Sequence, residues 1–208
     1  MMLPLIGRKA PDFISDAVMP DDRIEAKFNL SSLQGSYVVL FFYPMDFTFV
    51  CPSEILAFNE QLEEFRTRGA EVIGVSVDSA YTHLAWKRTP VEKGGIGPIR
   101  FPLVSDLKKD IAQSYGVLTE EGVALRGLFL IDQQGIVRHS VLNDPALGRS
   151  VTETLRMLDA LRFYEKRGKL CPADWQNGEE GITPTSDGIV DYLSKYAGKR
   201  FSDSRGET

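Results

Sequence analysis

Residues Phe41–Ile55, FFYPMDFTFVCPSEI, place a cysteine directly before a proline, where an apolar and aromatic run gives way to a polar, helix-like pattern. Tyr37–Pro44, YVVLFFYP, is an almost unbroken β-branched and aromatic stretch. That is the pattern of a central strand buried on both faces, and Pro44 ends it because proline has no N–H to give a ladder. From Pro52 onward Ile55, Leu56, Phe58, Leu62 and Phe65 recur at spacings that line one side of a helix, predicted to end before Gly69. Cys51 thus lies at a strand's exit and a helix's first turn, with Pro52 at a position where its missing N–H costs nothing.

That placement bears on reactivity. Cysteine attacks as its thiolate, and a free thiol of pKa about 8.5 is only ~3% ionised at pH 7. The unsatisfied N–H groups of a helix N-terminus favour a negative sulfur by roughly 0.3–1 kcal/mol, or about 2 kcal/mol when partly buried. Thr48, three residues earlier, offers a hydroxyl that can donate to the sulfur or to a bound oxygen. A cation from elsewhere in the chain is needed to complete the stabilisation.

Working outward, the residues up to Gly35 read as turns and a short hairpin, and EVIGVSVD (Glu71–Asp78) reads as a second buried strand. THLAWKR is predicted as a short helix and VEKGGIGPIRFPLVSD as a Gly/Pro-rich loop leading into a third strand. Lys108–Tyr115 suits a helix stopped by Gly116. ALRGLFLID and GIVRHSVLN are strands joined across QQG as a hairpin, and Val151–Arg167 is a long amphipathic helix ended by Gly168. This order implies an α/β fold with a central mixed β-sheet flanked by helices, as in a thioredoxin-like core. After Gly168 the composition turns to Gly, Pro, Asp and Asn. The expected organisation is therefore a 1–168 core domain and a 169–208 flexible C-terminal tail, with Cys171 exposed in it and a last short helix near Val190–Tyr196.

With 208 residues, 43% of them hydrophobic, the chain can bury a sizeable core. A net charge of −5 and no basic cluster argue against nucleic-acid binding. No apolar stretch is long enough to span a bilayer and the N-terminus lacks a signal-peptide pattern, so no membrane association and a cytoplasmic location are expected. In a reducing compartment, two cysteines at positions 51 and 171 read as reactive or buried thiols rather than as a structural staple.

The segment FYPMDFTFVCPSE resembles the active-site segment of the typical two-cysteine peroxiredoxins, whose pattern is Pro, three residues, Thr or Ser, two residues, Cys: here Pro44, Thr48 and Cys51. THLAWKRTP, GGIGPIRFPLVSD, ALRGLFLID, GRSVTETLRML and CPADW match in the same order, over almost the whole chain. The resemblance implies a thiol-dependent peroxidase reducing hydrogen peroxide and organic hydroperoxides, with no metal, flavin or haem cofactor. It makes Cys51 the peroxidatic cysteine and Cys171 the resolving cysteine. Thr48 and Arg126 bind and polarise the peroxide, Pro44 shields the site, and Glu54 and Arg149 orient the active-site arginine. Arg126 would then be the missing cation. The resemblance further implies a Cys51–Cys171 disulfide between the subunits of a homodimer pairing near Ile136–Val141, a ring of five dimers, and reduction by thioredoxin or a similar thiol donor. The loop Gly94-Gly95-Ile96-Gly97 and the pair Tyr192-Leu193 correspond to segments that govern over-oxidation in relatives.

Other readings are weaker. Arg126, taken alone, suits a structural salt bridge. His83 and His139 lack zinc-ligand spacing, Trp86 and Phe47 are most simply core residues, and the glycines of the 94–97 loop lack a phosphate-loop ending. A disulfide oxidoreductase would want a second cysteine at the position Glu54 occupies, and a non-enzymatic holdase would not need Cys51 at all.

Overall fold

A computed structural model describes residues 4–202, with side chains placed through residue 195. The strands are β1 (Ile14–Val18), β2 (Ile24–Asn29), β3 (Tyr37–Phe42), β4 (Ala70–Ser76), β5 (Leu103–Ser105), β6 (Arg126–Ile131) and β7 (Val137–Asn143). The helices are α1 (Cys51–Glu60), α2 (Leu62–Thr67), α3 (Ala80–Arg88), α4 (Asp110–Ser114), α5 (Val151–Arg167) and α6 (Ser186–Ser202). The chain forms two compact units, Met1–Leu155 and Arg156–Thr208. No described helix is long and apolar enough to cross a membrane.

The first unit is a mixed sheet in the order β2-β1-β5-β4-β3-β6-β7, with β3, β4 and β5 parallel and the other pairings antiparallel. Every residue of β3 is buried, because both faces of this central strand are covered. Val38, Leu40 and Phe42 join Ile73, Tyr115 and Phe129 in one core layer. Phe41, on the opposite face, stacks on Phe58 of α1 with ring centroids 4.7 Å apart. The sheet thereby fixes the strand end from which the Cys51 segment departs.

Several expectations need correction. The helix predicted from Pro52 to Gly69 breaks at Gln61 into α1 and α2. Arg100 supplies the reason: its Nη2 bonds the Asn59 carbonyl at 3.0 Å and its backbone N–H the Asn59 side chain at 2.8 Å. The first of these contacts falls on a carbonyl that a continuous helix would also use. α4 starts late because Lys109 adopts a left-handed φ of 66°. α6 is much longer than the short helix expected. Phe47 is 51% exposed, with its ring 5.8 Å from that of Trp86, which is fully buried.

The second unit contains most of α5, an isolated bridge between Leu170 and Ile182, and α6. Trp175 is fully buried there, with its ring 4.8 Å from Phe163 and its carbonyl accepting from Arg156 at 2.8 Å. Cys171 is half-buried rather than exposed, since its thiol meets the Ala160 carbonyl at 3.4 Å.

Candidate active site

Cys51 occupies the first position of α1 and is wholly buried. The Val50 carbonyl accepts from Ser53 N–H at 3.1 Å and Glu54 N–H at 3.4 Å, closing the first turn beneath it. Thr48 Oγ1 lies 2.9 Å from Cys51 Sγ and 2.8 Å from the Met45 carbonyl. A hydroxyl carries one proton, so it donates to one of these at a time. A thiolate draws that proton to the sulfur, whereas a thiol can donate its own to Oγ1 and leave the Met45 bond intact.

The cation comes from β6. Arg126 Nη1 lies 3.3 Å from Cys51 Sγ and 2.7 Å from Glu54 Oε2, and Nε donates to the Pro145 carbonyl at 2.7 Å. Glu54 follows Cys51 by one helical turn, so its carboxylate projects from the same side of α1. Arg149 completes the cluster. Its backbone N–H and Nε each donate to Glu54 Oε1 at 2.8 Å, and Nη2 donates to Oε2 at 2.9 Å. Its Nη1 bonds the carbonyls of Phe42 at 2.7 Å and Gly127 at 2.6 Å, and the guanidinium lies over the Phe41 ring at 5.3 Å. One side chain thus ties α1 to the ends of β3 and β6.

Two buried guanidiniums face one carboxylate, which leaves an excess positive charge beside the sulfur. A thiolate at Cys51 balances it, and charge-assisted contacts of this kind gain strength where water is excluded. Burial would push the Glu54 carboxyl up, but hydrogen bonds and charge from Arg149, with the charge of Arg126, hold it below the usual carboxylate range. Glu54 is therefore ionised near neutral pH and keeps Arg126 aimed.

The structure brings Thr48, Cys51, Glu54, Arg126 and Arg149 together. Pro44 lies half-buried at the start of the loop that follows β3. Cys171 belongs to the second unit, where burial pushes its thiol up against the opposing charge of Arg156. The sequence reading missed Asp46, two residues before Thr48, whose buried carboxylate meets His83 Nδ1 at 2.7 Å. The available signal was an acidic residue amid aromatics, but its partner on α3 lies 37 positions away. The buried salt bridge of Arg126 with Glu54 and its contact with Cys51 coexist, so its structural and chemical readings are not alternatives.

Residues 6–140 match the AhpC/TSA family, and residues 160–195, which include Cys171, match the C-terminal domain of 1-Cys peroxiredoxin. The chain is 51% identical over 195 residues to alkyl hydroperoxide reductase C of Buchnera aphidicola subsp. Acyrthosiphon pisum, covering 93% of this chain and 99% of that protein. It is similar to a reduced 2-Cys peroxiredoxin of Plasmodium vivax in crystal structure, with a TM-score of 0.90 and 49% identity over 92% of this chain and all of that one. Thioredoxin peroxidase I of Plasmodium yoelii gives a TM-score of 0.75 and 52% identity over 83% of this chain and 99% of that one. The mixed seven-stranded sheet with its helices is accordingly the thioredoxin-like fold of these proteins, and the chain belongs to the AhpC/TSA family of peroxiredoxins, the thiol peroxidases.

Proposed function

We propose that Cys51 is the peroxidatic nucleophile and that Cys171 resolves its oxidised form. The observation that carries this reading is the pair of donors on one buried sulfur, Thr48 Oγ1 at 2.9 Å and Arg126 Nη1 at 3.3 Å, at the start of a helix. The thiolate attacks one peroxide oxygen and the O–O bond breaks. The departing oxygen takes a proton and leaves as water or an alcohol, and the sulfur becomes a sulfenic acid. Negative charge develops on the departing oxygen, where Arg126, held by Glu54, provides a fixed donor and Thr48 a hydroxyl that can turn to it. Glu54 and Arg149 hold Arg126 in place, and Pro44 covers the site.

Resolution requires movement at both cysteines. The Val50 carbonyl must lose its bonds to Ser53 and Glu54 for Cys51 to emerge, and Cys171 must leave the Ala160 carbonyl. The Cys171 thiolate then attacks the sulfenic sulfur, expelling hydroxide that is protonated to water, and the disulfide closes at about 2.05 Å. The 169–208 tail serves to deliver Cys171 to another subunit. A homodimer, a ring of five dimers, a thioredoxin-like dithiol reductant and a cytoplasmic setting complete the reading. The family membership and the thioredoxin named for the Plasmodium yoelii relative support it.

One equivalent of hydrogen peroxide added to the reduced protein, followed by non-reducing electrophoresis, tests this. Covalent dimers that vanish in Cys171→Ser, with dimedone then labelling Cys51, are the expected result. A purely monomeric oxidised band contradicts the inter-subunit disulfide, and a Cys51 that never takes dimedone contradicts its role.

A further inference from the structure

β7 ends at Asn143, and the chain runs on through Asp144-Pro145-Ala146-Leu147-Gly148 to Arg149, the residue that holds Glu54. Asn143 stands directly opposite Arg126 in the β6–β7 register, and in an antiparallel pair such residues project from the same face. Its Nδ2 donates to the Leu147 carbonyl at 3.1 Å and reaches the Gly148 carbonyl at 3.4 Å. Both partners only accept, which fixes the nitrogen as the atom the amide turns toward them. Within this span Leu147 N–H donates to the Asp144 carbonyl at 2.9 Å, closing a four-residue turn with aspartate first and proline second, where the preset φ of proline belongs. Asp144 Oδ1 accepts from Ala146 N–H at 3.0 Å. Asn143 thus bends the chain and Asp144 stiffens the bend.

The bend presents two backbone groups to the reacting centre. The Pro145 carbonyl accepts from Arg126 Nε at 2.7 Å, while Nη1 of the same guanidinium reaches Glu54 and Cys51. Just past the bend, the Arg149 backbone N–H donates to Glu54 Oε1 at 2.8 Å. A guanidinium is a rigid planar fork, so holding it at both Nε and Nη1 sets the direction of its plane. Arg126 is buried, whereas residues 144–148 are exposed, so a turn open to water sets the aim of a buried cation. We infer that Asn143 and Asp144 are positioning residues for the peroxidase reaction: the turn they close aims the Pro145 carbonyl at Arg126 and the Arg149 amide at Glu54, so that Arg126 meets the departing peroxide oxygen already oriented. This rests on the assignment of Cys51 as the reacting thiol.

Two reagents separate aiming from general damage. Attack on peroxide puts negative charge on a departing oxygen, where the direction of the guanidinium matters. Alkylation by iodoacetamide uses the same thiolate and expels iodide, which asks nothing of that direction. A guanidinium released at Nε alone keeps its charge beside the sulfur through Glu54, so the thiolate persists and alkylation is spared. Damage to the fold or loss of the thiolate changes both reactions together.

The test measures the second-order rate constant for hydrogen peroxide and the alkylation rate of Cys51 in the full chain carrying Cys171→Ser. Asn143→Ala lowers the peroxide rate constant by about 10- to 100-fold, the scale of a small misplacement of reacting groups, and leaves alkylation within about threefold. Asp144→Ala lowers it less, and Asp144→Asn, which keeps the Oδ1 acceptor, recovers the loss. Added to Arg126→Ala, Asn143→Ala costs no more than about twofold further, because the turn acts through that side chain. An unchanged peroxide rate in folded Asn143→Ala, a parallel fall in both reactions, or an undiminished effect on top of Arg126→Ala overturns the inference. If Asn143→Ala does not fold, the Asp144 pair decides: a parent-like Asp144→Ala, or an Asp144→Asn as slow as it, overturns the inference. Cys51→Ser separates the two assignments: peroxide consumption surviving in it refutes the site itself, whereas a dead Cys51→Ser beside parent-like turn variants refutes only the role of the turn.

Discussion

Arg126 Nη1 stands 2.7 Å from Glu54 Oε2 and 3.3 Å from Cys51 Sγ, so the nitrogen that reaches the sulfur is the one the carboxylate holds. Glu54 also holds Arg149, and all three side chains are almost completely buried. Replacing the carboxylate by the neutral Glu54→Gln removes the anion that both guanidiniums share, and breaking a buried pair in this way costs about 3–5 kcal/mol. The folded Glu54 carboxyl lies below its ordinary range, so its contribution to stability is complete above the unfolded value near 4.5 and disappears as pH falls through the folded value. Urea unfolding at fixed protein concentration should show a gap between parent and Glu54→Gln that is constant above about pH 5.5 and narrows in acid. A gap that does not change down to pH 3 contradicts the assignment.

Thr48 has one proton and two acceptors, the Met45 carbonyl and Cys51 Sγ. Thr48→Ser keeps the hydroxyl, whereas Thr48→Val keeps the shape and loses the donor. Rates of peroxide reduction should stay near the parent in the first and fall by about 10²-fold in the second, the scale of one lost donor to developing charge. Equal rates in the two variants would show that Thr48 contributes packing alone.

Cys171 in its folded position is held as a thiol by burial, with Arg156 acting in the opposite sense. In a Cys51→Ser background its alkylation by iodoacetamide should be slow at neutral pH and accelerate above the range where an ordinary cysteine ionises. Arg156→Ala removes the opposing charge and slows the reaction further at pH 8. Mass spectrometry of the labelled peptide measures both, and faster labelling in Arg156→Ala would reverse the argument.

What could be read in advance follows the range of the interactions. β3 was legible because its burial on both faces is written in six consecutive apolar residues, and the end of α5 because Gly168 takes a φ of 64° that stops a helix. The break at Gln61 depends on Arg100, 41 positions beyond Asn59, and no local pattern announces it. The site divides in the same way. Thr48 and Cys51 are three residues apart and signal each other directly. Arg126 lies 75 positions from Cys51 and Arg149 lies 95 from Glu54, so only the family resemblance pointed to them. Asp46 and His83 had no such guide. Phe47 packs one side on the buried Trp86 and leaves half of its surface exposed, a division that its aromatic character alone does not announce.

The central claim is that peroxide reacts at a Cys51 thiolate activated by Arg126. Stopped-flow mixing of the reduced Cys171→Ser protein with excess hydrogen peroxide isolates that single step, followed by tryptophan fluorescence or by quenched peroxide assay. The account predicts a rate proportional to peroxide concentration, absent in Cys51→Ser and lowered by about 10²- to 10³-fold in Arg126→Ala and nearly as far in Arg126→Lys, whose single ammonium cannot reproduce the fork to Cys51, Glu54 and Pro145. Peroxide consumption at the parent rate in Cys51→Ser, or an unchanged rate constant in Arg126→Ala, would contradict it.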